Sequence, residues 1–206
     1  MTQQSKLALV EDDDAVRLST AMLLTSSGYS LVREFACAEA LMADLADGYV
    51  PDVIISDVRM PGMSGLELQE QLKVRGIAAP LLLITGHGQV AMAVRALKAG
   101  AADFIEKPFE EAVLLAAIAR ALEEASKKTD AARRKADLLA RVVQLTPRQK
   151  QVMDGVVRGL SSKEIAMELD ISPRTVETYR VWIMEKMGAT STAALVRMSI
   201  QLETDV

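Results

Sequence analysis

Five polar side chains, each closing a short apolar run, have the types that phosphoryl transfer needs. They are Glu11 and Asp12 in LALVEDDD, Asp57 in VIISDVRMPG, Thr85 in LLLITGHG and Lys107 in DFIEKPF. A lone carboxylate such as Asp57, at the end of a run as apolar as Val53-Ile54-Ile55, is costly to place unless something uses it. Two carboxylates about 4 Å apart repel by roughly 4 kcal/mol at an effective dielectric of 20, so three together require protons or a cation. Hard oxygen ligands, few in number and beside open space, suit Mg²⁺, which keeps waters of its own and shares a phosphate oxygen. An acid pair, a nucleophilic acid, a hydroxyl and an ammonium then match a phosphoryl-transfer site. The plainer reading makes the acids helix N-caps. It suits Asp14 and leaves Asp13 to solvent, yet it does not cover Glu11, Asp12 and Asp57 as well.

Those groups need a scaffold that ends several strands in one place. Runs at 6–10, 30–35, 52–56, 80–84 and 102–105 read as strands, and 14–27, 37–46, 64–74, 88–99 and 109 onward show the 3.6-residue helical period. Five β-α units of this spacing predict an α/β, flavodoxin-like (βα)5 domain, a parallel sheet with helices on both faces. Strands buried on both sides read as continuous apolar runs, as these do. Ligands of such sheets bind outside the carboxyl ends of the strands where strand order reverses, between the first and third strands in the flavodoxin-like order. Glu11, Asp12 and Asp57 are therefore expected to converge.

Between Phe109 and Thr146 there is no glycine or proline, and Leu115, Ile118, Leu122, Ala125, Thr129, Ala132, Ala136, Leu139 and Val143 recur at steps of three and four. That heptad pattern predicts a helix of roughly 50 Å if it runs to Val143, with self-pairing left open by its small central residues. EEASKKTDAARRKAD would also pass as a charged linker. After Leu145 the helices are short. Thr146-Pro147, Ser161 or Ser162, and Ser172-Pro173 are their start signals. In SSKEIAMELDISPRTVETYRVWIMEKMG two helices meet through Asp170-Ile171-Ser172 without a glycine. Val176, Tyr179, Ile183 and Met187 share one face of the second helix and are expected to be core. The opposite face carries Arg174, Glu177, Thr178, Val181 and Glu185, which can enter a DNA major groove. Glu177 can accept from a cytosine amine, and Thr178 and Val181 can touch thymine methyls. Lys163, Thr175 and Arg180 are candidate phosphate contacts.

Charge tempers that reading. From Val142 onward eight basic residues face eight acids, so the C-terminal part is neutral and the net charge of −4 arises before it. A neutral helical domain also suits protein docking. One cysteine, Cys37, excludes an internal disulfide and fits a reducing cytoplasm. With the lone His87 it could hint at thiol catalysis, but no motif surrounds either; His87 is expected in a loop near the site. MTQQSK lacks the apolar core of a signal peptide, and no apolar run approaches the roughly 18 residues of a membrane span.

In SDVRMPGMSG, ITGHG and EKPF, in order and at the right strand ends, the first part of the chain resembles two-component receiver domains. The C-terminal part resembles LuxR-type helix-turn-helix domains, and the whole resembles FixJ-like response regulators. The resemblance implies a receiver over 1–125, a helical linker over 126–144 and a DNA-binding domain over 145–206. By position it makes Asp57 the phosphoacceptor and gives Mg²⁺ to Glu11, Asp12, Asp57 and the backbone carbonyl of Arg59. Lys107 would pair with the phosphoryl oxygens, Thr85 would hydrogen-bond one of them, and Phe104 would be the ring that turns inward. The implied partners are a sensor histidine kinase, double-stranded promoter DNA, RNA polymerase and, on phosphorylation, a second copy of the chain, with no membrane and no enzymatic turnover beyond its own phosphorylation and dephosphorylation. Glu11 departs from the commoner Asp by one methylene and should reach a metal through water. An aspartyl-phosphate hydrolase is the rival reading; such enzymes carry a second acid two residues after the nucleophile, where this chain has Arg59. An interaction module that is never phosphorylated is the other, and the complete set of Glu11, Asp12, Asp57, Thr85 and Lys107 speaks against it.

Overall fold

Apolar runs build the central strands, and every residue of β3 (Val53–Asp57) and β4 (Leu81–Thr85) is buried. The computed structural model describes residues 3–86 and 90–203. The chain divides into two compact units, Met1–Lys127 and Lys128–Val206.

In the first unit β1 (Gln3–Val10), β2 (Tyr29–Phe35), β3, β4 and β5 (Asp103–Glu106) form one parallel sheet in the order β2-β1-β3-β4-β5. The two-residue side-chain period splits its core. Ala8, Val10, Ile54 and Leu83 pack on one face with α2 (Ala38–Ala46), α3 (Gly65–Val74) and α4 (Val90–Lys98). Leu7, Leu9, Ile55, Leu82 and Ile105 pack on the other with α1 (Asp14–Ser26) and the start of α5 (Glu111–Val143). There α5 buries Leu114, Ala117, Ile118 and Ala121, the 3-4 spacing of one helix face. β1 begins ahead of its apolar run because pairing with β2 extends to Gln3 through a register shift before Lys6.

One expectation needs correction. Asp13, rather than Asp14, caps α1: it stands just before the first helical residue and accepts from the N–H groups of Ala15 and Val16. Asp14 lies inside the first turn and pairs with Arg17. The second unit also draws on α5, beside the heptad seam. Near its end α5 buries Leu138 and half-buries Val142, while Leu139 is 48% and Val143 76% exposed. The core of the second unit takes residues one place earlier than the seam.

In that unit α6 (Pro147–Val157), α7 (Ser162–Leu169), α8 (Pro173–Met187) and α9 (Thr192–Glu203) surround Val152, Ile165, Val176, Ile183 and Met187. The starts are as read: Thr146 and Ser161 form capping boxes with Gln149 and Glu164, and Ser172 caps α8. Asp170 takes a left-handed conformation, φ 51°, at the end of α7. Aspartate is one of the few residues besides glycine that tolerates it, which is how the turn forms without glycine.

Candidate functional site

Strand register places the first site. Val10 lies opposite Ser56 and Asp57 opposite Ile84, so Glu11 and Asp57 emerge side by side at the carboxyl end of the sheet. Thr85 pairs with Glu106, which puts Lys107 one residue beyond, where its N–H donates to the Thr85 carbonyl at 2.7 Å. From there Lys107 Nζ reaches Glu11 Oε2 at 2.7 Å and Asp57 Oδ2 at 2.6 Å. The other oxygen of Asp57 accepts from the Arg59 N–H at 2.8 Å. Glu11, Asp57 and Thr85 are buried; Asp12 and Arg59 are exposed. Phe104 is half-buried against the α2–α3–α4 side of the core. His87 lies outside the described residues.

Burial pushes the Glu11 carboxyl above its ordinary value, the Lys107 hydrogen bond and charge only partly offsetting it and Asp57 adding repulsion. Burial also pulls Lys107 down, but its two carboxylate partners outweigh that and raise its pKa. The opposite consequences for charging have one origin: the ammonium has two counter-charges, whereas two carboxylates share one cation. Among the described residues no group of three His, Cys, Asp or Glu side chains is arranged to hold a metal ion. The donor set is therefore two buried carboxylates with one ammonium between them. It is short of positive charge and open at Asp12, which fits a hydrated Mg²⁺ better than an enclosed cation.

Residues not singled out in the sequence hold this arrangement. Arg17, its side chain 17% exposed, donates to the Glu11 carbonyl at 2.8 Å and so anchors the end of β1. Glu39 accepts from the Met63 N–H at 2.7 Å, tying α2 to the loop after Asp57. Its carboxyl is lowered by hydrogen bonds from its own N–H first and from Met63 second. Gly65 opens α3 behind its Ser64 cap; a Cβ there would press on the Asp57 carbonyl and lie 2.9 Å from Leu83 Cδ2. The SxxE capping spacing of Ser64 and Glu67 was a legible signal for that helix start. Arg17 and Glu39 carry no signal of their own, because their partners are backbone groups 6 and 24 residues away in the sequence.

The second site is the exposed side of α8. Val176, Ile183 and Met187 are buried and Tyr179 is half-buried, leaving Arg174, Glu177, Thr178, Val181 and Glu185 exposed. Thr175 bonds the Ser172 hydroxyl at 2.7 Å, and Arg180 is half-buried, 3.3 Å from Thr192 Oγ1. Lys163 is exposed on α7. Trp182, 46% exposed, stacks edge-on against Tyr179 with centroids 5.7 Å apart. Arg141 donates to the Met187 carbonyl at 2.6 Å, and Lys186 to the Gln144 carbonyl at 2.9 Å, so the end of α5 is bonded to the end of α8.

Residues 7–119 match the response regulator receiver domain family, and residues 143–199 match the bacterial regulatory proteins of the luxR family. The chain belongs to the FixJ-like response regulators. It is 44% identical over 201 residues to the transcriptional regulatory protein FixJ of Bradyrhizobium diazoefficiens, covering 98% of this chain and 97% of that one. To FixJ of Rhizobium meliloti it is 47% identical, covering 93% of each. Among solved structures, the response regulator StyR superposes with a TM-score of 0.82 at 39% identity, over 97% of this chain and 100% of that one. Full-length FixJ from B. japonicum gives 0.62 at 42%, over 98% of each. This response regulator thus pairs a receiver with a LuxR-type DNA-binding domain and regulates transcription in a phosphorylation-dependent way. Its relatives are transcriptional regulators rather than classical enzymes. No helix among its described residues is long and apolar enough to cross a membrane.

Proposed function

We propose that the regulator accepts a phosphoryl group on Asp57 from the phosphohistidine of a sensor kinase and then binds promoter DNA through α8. The observation that carries the first half is the Glu11–Lys107–Asp57 cluster at three strand ends. In the transfer an Asp57 oxygen forms the new bond to phosphorus while the phosphorus–nitrogen bond breaks and its electron pair returns to the kinase imidazole. Arg59 N–H and Lys107 hold the carboxylate by one oxygen each, so its orientation is set before phosphorus arrives. Lys107 then pairs with the phosphoryl oxygens, and the Thr85 hydroxyl binds one of them. Glu11, Asp12, Asp57 and the Arg59 carbonyl would hold Mg²⁺. When bound, that ion neutralises charge on the transferring group.

Thr85 and Phe104 form the switch pair that carries the change to α4, β5 and α5. Residues 1–125 act as receiver, 126–144 as helical connector and 145–206 as output domain, with phosphorylation favouring a dimer that meets RNA polymerase at cytoplasmic promoters. On DNA, Lys163, Thr175 and Arg180 contact phosphates, while Arg174, Glu177, Thr178 and Val181 face the bases. Incubation with acetyl phosphate tests the site. Wild type should label stoichiometrically and only with Mg²⁺, Asp57→Asn should not label, and Asp12→Asn should need more Mg²⁺ for half-maximal labelling. Acid-labile phosphate on Asp57→Asn at wild-type levels would refute the assignment.

A further inference from the structure

We infer that Ser162 is a specificity-determining residue for DNA, acting by fixing the carboxylate of Glu177; this rests on the reading of α8 as the base-reading helix. The Ser162 hydroxyl, at the first position of α7, donates to Glu177 Oε1 in the second turn of α8. Each end of this bridge is held. Ser161 caps α7 through a complete capping box with Glu164, and Ser172 caps α8 by accepting from the Thr175 N–H at 3.0 Å. Glu177 lies on the exposed side of α8 with Arg174, Thr178 and Val181, while Ser162 is half-buried beneath it.

Glutamate has three side-chain torsions, and an exposed one ordinarily samples many rotamers. Beside a base edge that freedom weakens selection in two ways. A mobile carboxylate loses entropy when it accepts from an amine, and it can swing away when it meets an acceptor. A carboxylate carries no donor. In the major groove it is attracted by the N4 amine of cytosine and repelled by O6 and N7 of guanine or O4 of thymine; adenine offers N6–H beside the repelling N7. With one oxygen held by Ser162, the other is presented in a fixed place, so the repulsive edges cannot be escaped. Selectivity then arises as much from rejecting wrong bases as from binding the right one. Ser162 touches no base in this scheme; it positions the group that does.

The test is selection from a randomised duplex library by the full-length protein treated with acetyl phosphate and Mg²⁺, with sequencing of the bound pool and competition titrations on single-base variants. Wild type is expected to prefer cytosine at one position of each half-site, and Ser162→Ala to lower that preference about tenfold, within the range of one good base contact. The salt slope, which reports phosphate contacts, should stay the same. Ser162→Thr retains the hydroxyl and should restore the preference. Glu177→Ala should remove it, and the double variant should be no worse than Glu177→Ala alone, as for residues acting through one group. Loss of preference in Glu177→Ala with full retention in Ser162→Ala overturns the role of Ser162 alone. Retention in both overturns it together with base reading by Glu177, and additive effects in the double variant overturn the coupling between them.

Discussion

Replacing Lys107 with methionine removes the single ammonium between Glu11 and Asp57 while roughly keeping the volume of its stem. The two carboxylates it leaves are 7% and 10% exposed, and each loses a charged hydrogen bond of 2.7 or 2.6 Å. Breaking a buried pair costs about 3–5 kcal/mol. Lys107 retains 23% exposure, so water supplies part of the loss and about 2–3 kcal/mol is expected near pH 8. The cost should fade in acid. Burial already lifts Glu11 above its unfolded value of 4.5 in the wild type, and removing the ammonium lifts it further. An acid whose pKa is higher in the fold binds its proton more tightly there. Its contribution favours folding below the unfolded value and is lost as pH rises through the folded one. The difference between variant and wild type should therefore be smaller at pH 4.5 than at pH 8. Lys107 has the same sign at higher pH: its pKa is also raised, so its ammonium stays charged throughout this range and its contribution is lost only as pH rises above the ordinary lysine value of 10.5. Urea titrations followed by circular dichroism at both pH values measure this. With m about 1–3 kcal/mol/M, the receiver transition should fall by about 1 M at pH 8. The single tryptophan, Trp182, lies in the other unit, and its fluorescence transition should not move. Equal midpoints at pH 8, or the same loss at pH 4.5 and pH 8, would refute a charge-based role for Lys107.

Gly65→Ala should destabilise the receiver by about 1–3 kcal/mol in the same titration, because a methyl would meet the Asp57 carbonyl and lie 2.9 Å from Leu83 Cδ2. It should also slow labelling, since the loop bearing Arg59 must shift. Lys163→Ala should weaken DNA binding about equally on all sequences and lower the salt slope by roughly one, read by fluorescence anisotropy over a salt series. Light scattering should show a dimer when the protein is fully phosphorylated. A monomer at micromolar concentration that nevertheless binds its operator more tightly would count against dimerisation as the trigger.

Much of this protein was legible in the chain because its signals are local. Short continuous apolar runs suit strands covered on both faces, and five of them alternating with helical patterns leave few topologies besides a parallel doubly wound sheet. The helix starts at Thr146, Ser161 and Ser172 were readable because a cap and its partner lie within three residues. Other features were decided only by tertiary structure. Asp13 and Asp14 are adjacent acids of like propensity, and only the point where the backbone turns helical selects Asp13 as the cap. Which residues near the end of α5 enter the core of the second unit was likewise settled by packing: it takes Leu138 and Val142 and leaves the heptad residues Leu139 and Val143 exposed. The supports of both candidate sites came from the fold alone. Arg17 finds the Glu11 carbonyl, Glu39 finds the Met63 N–H, and Ser162 finds Glu177 across a turn. Side-chain type and spacing announce the groups that do chemistry, because few residues can do it. The groups that position them use ordinary hydrogen bonds to whatever the fold brings within 3 Å, and only the packed chain decides those neighbours.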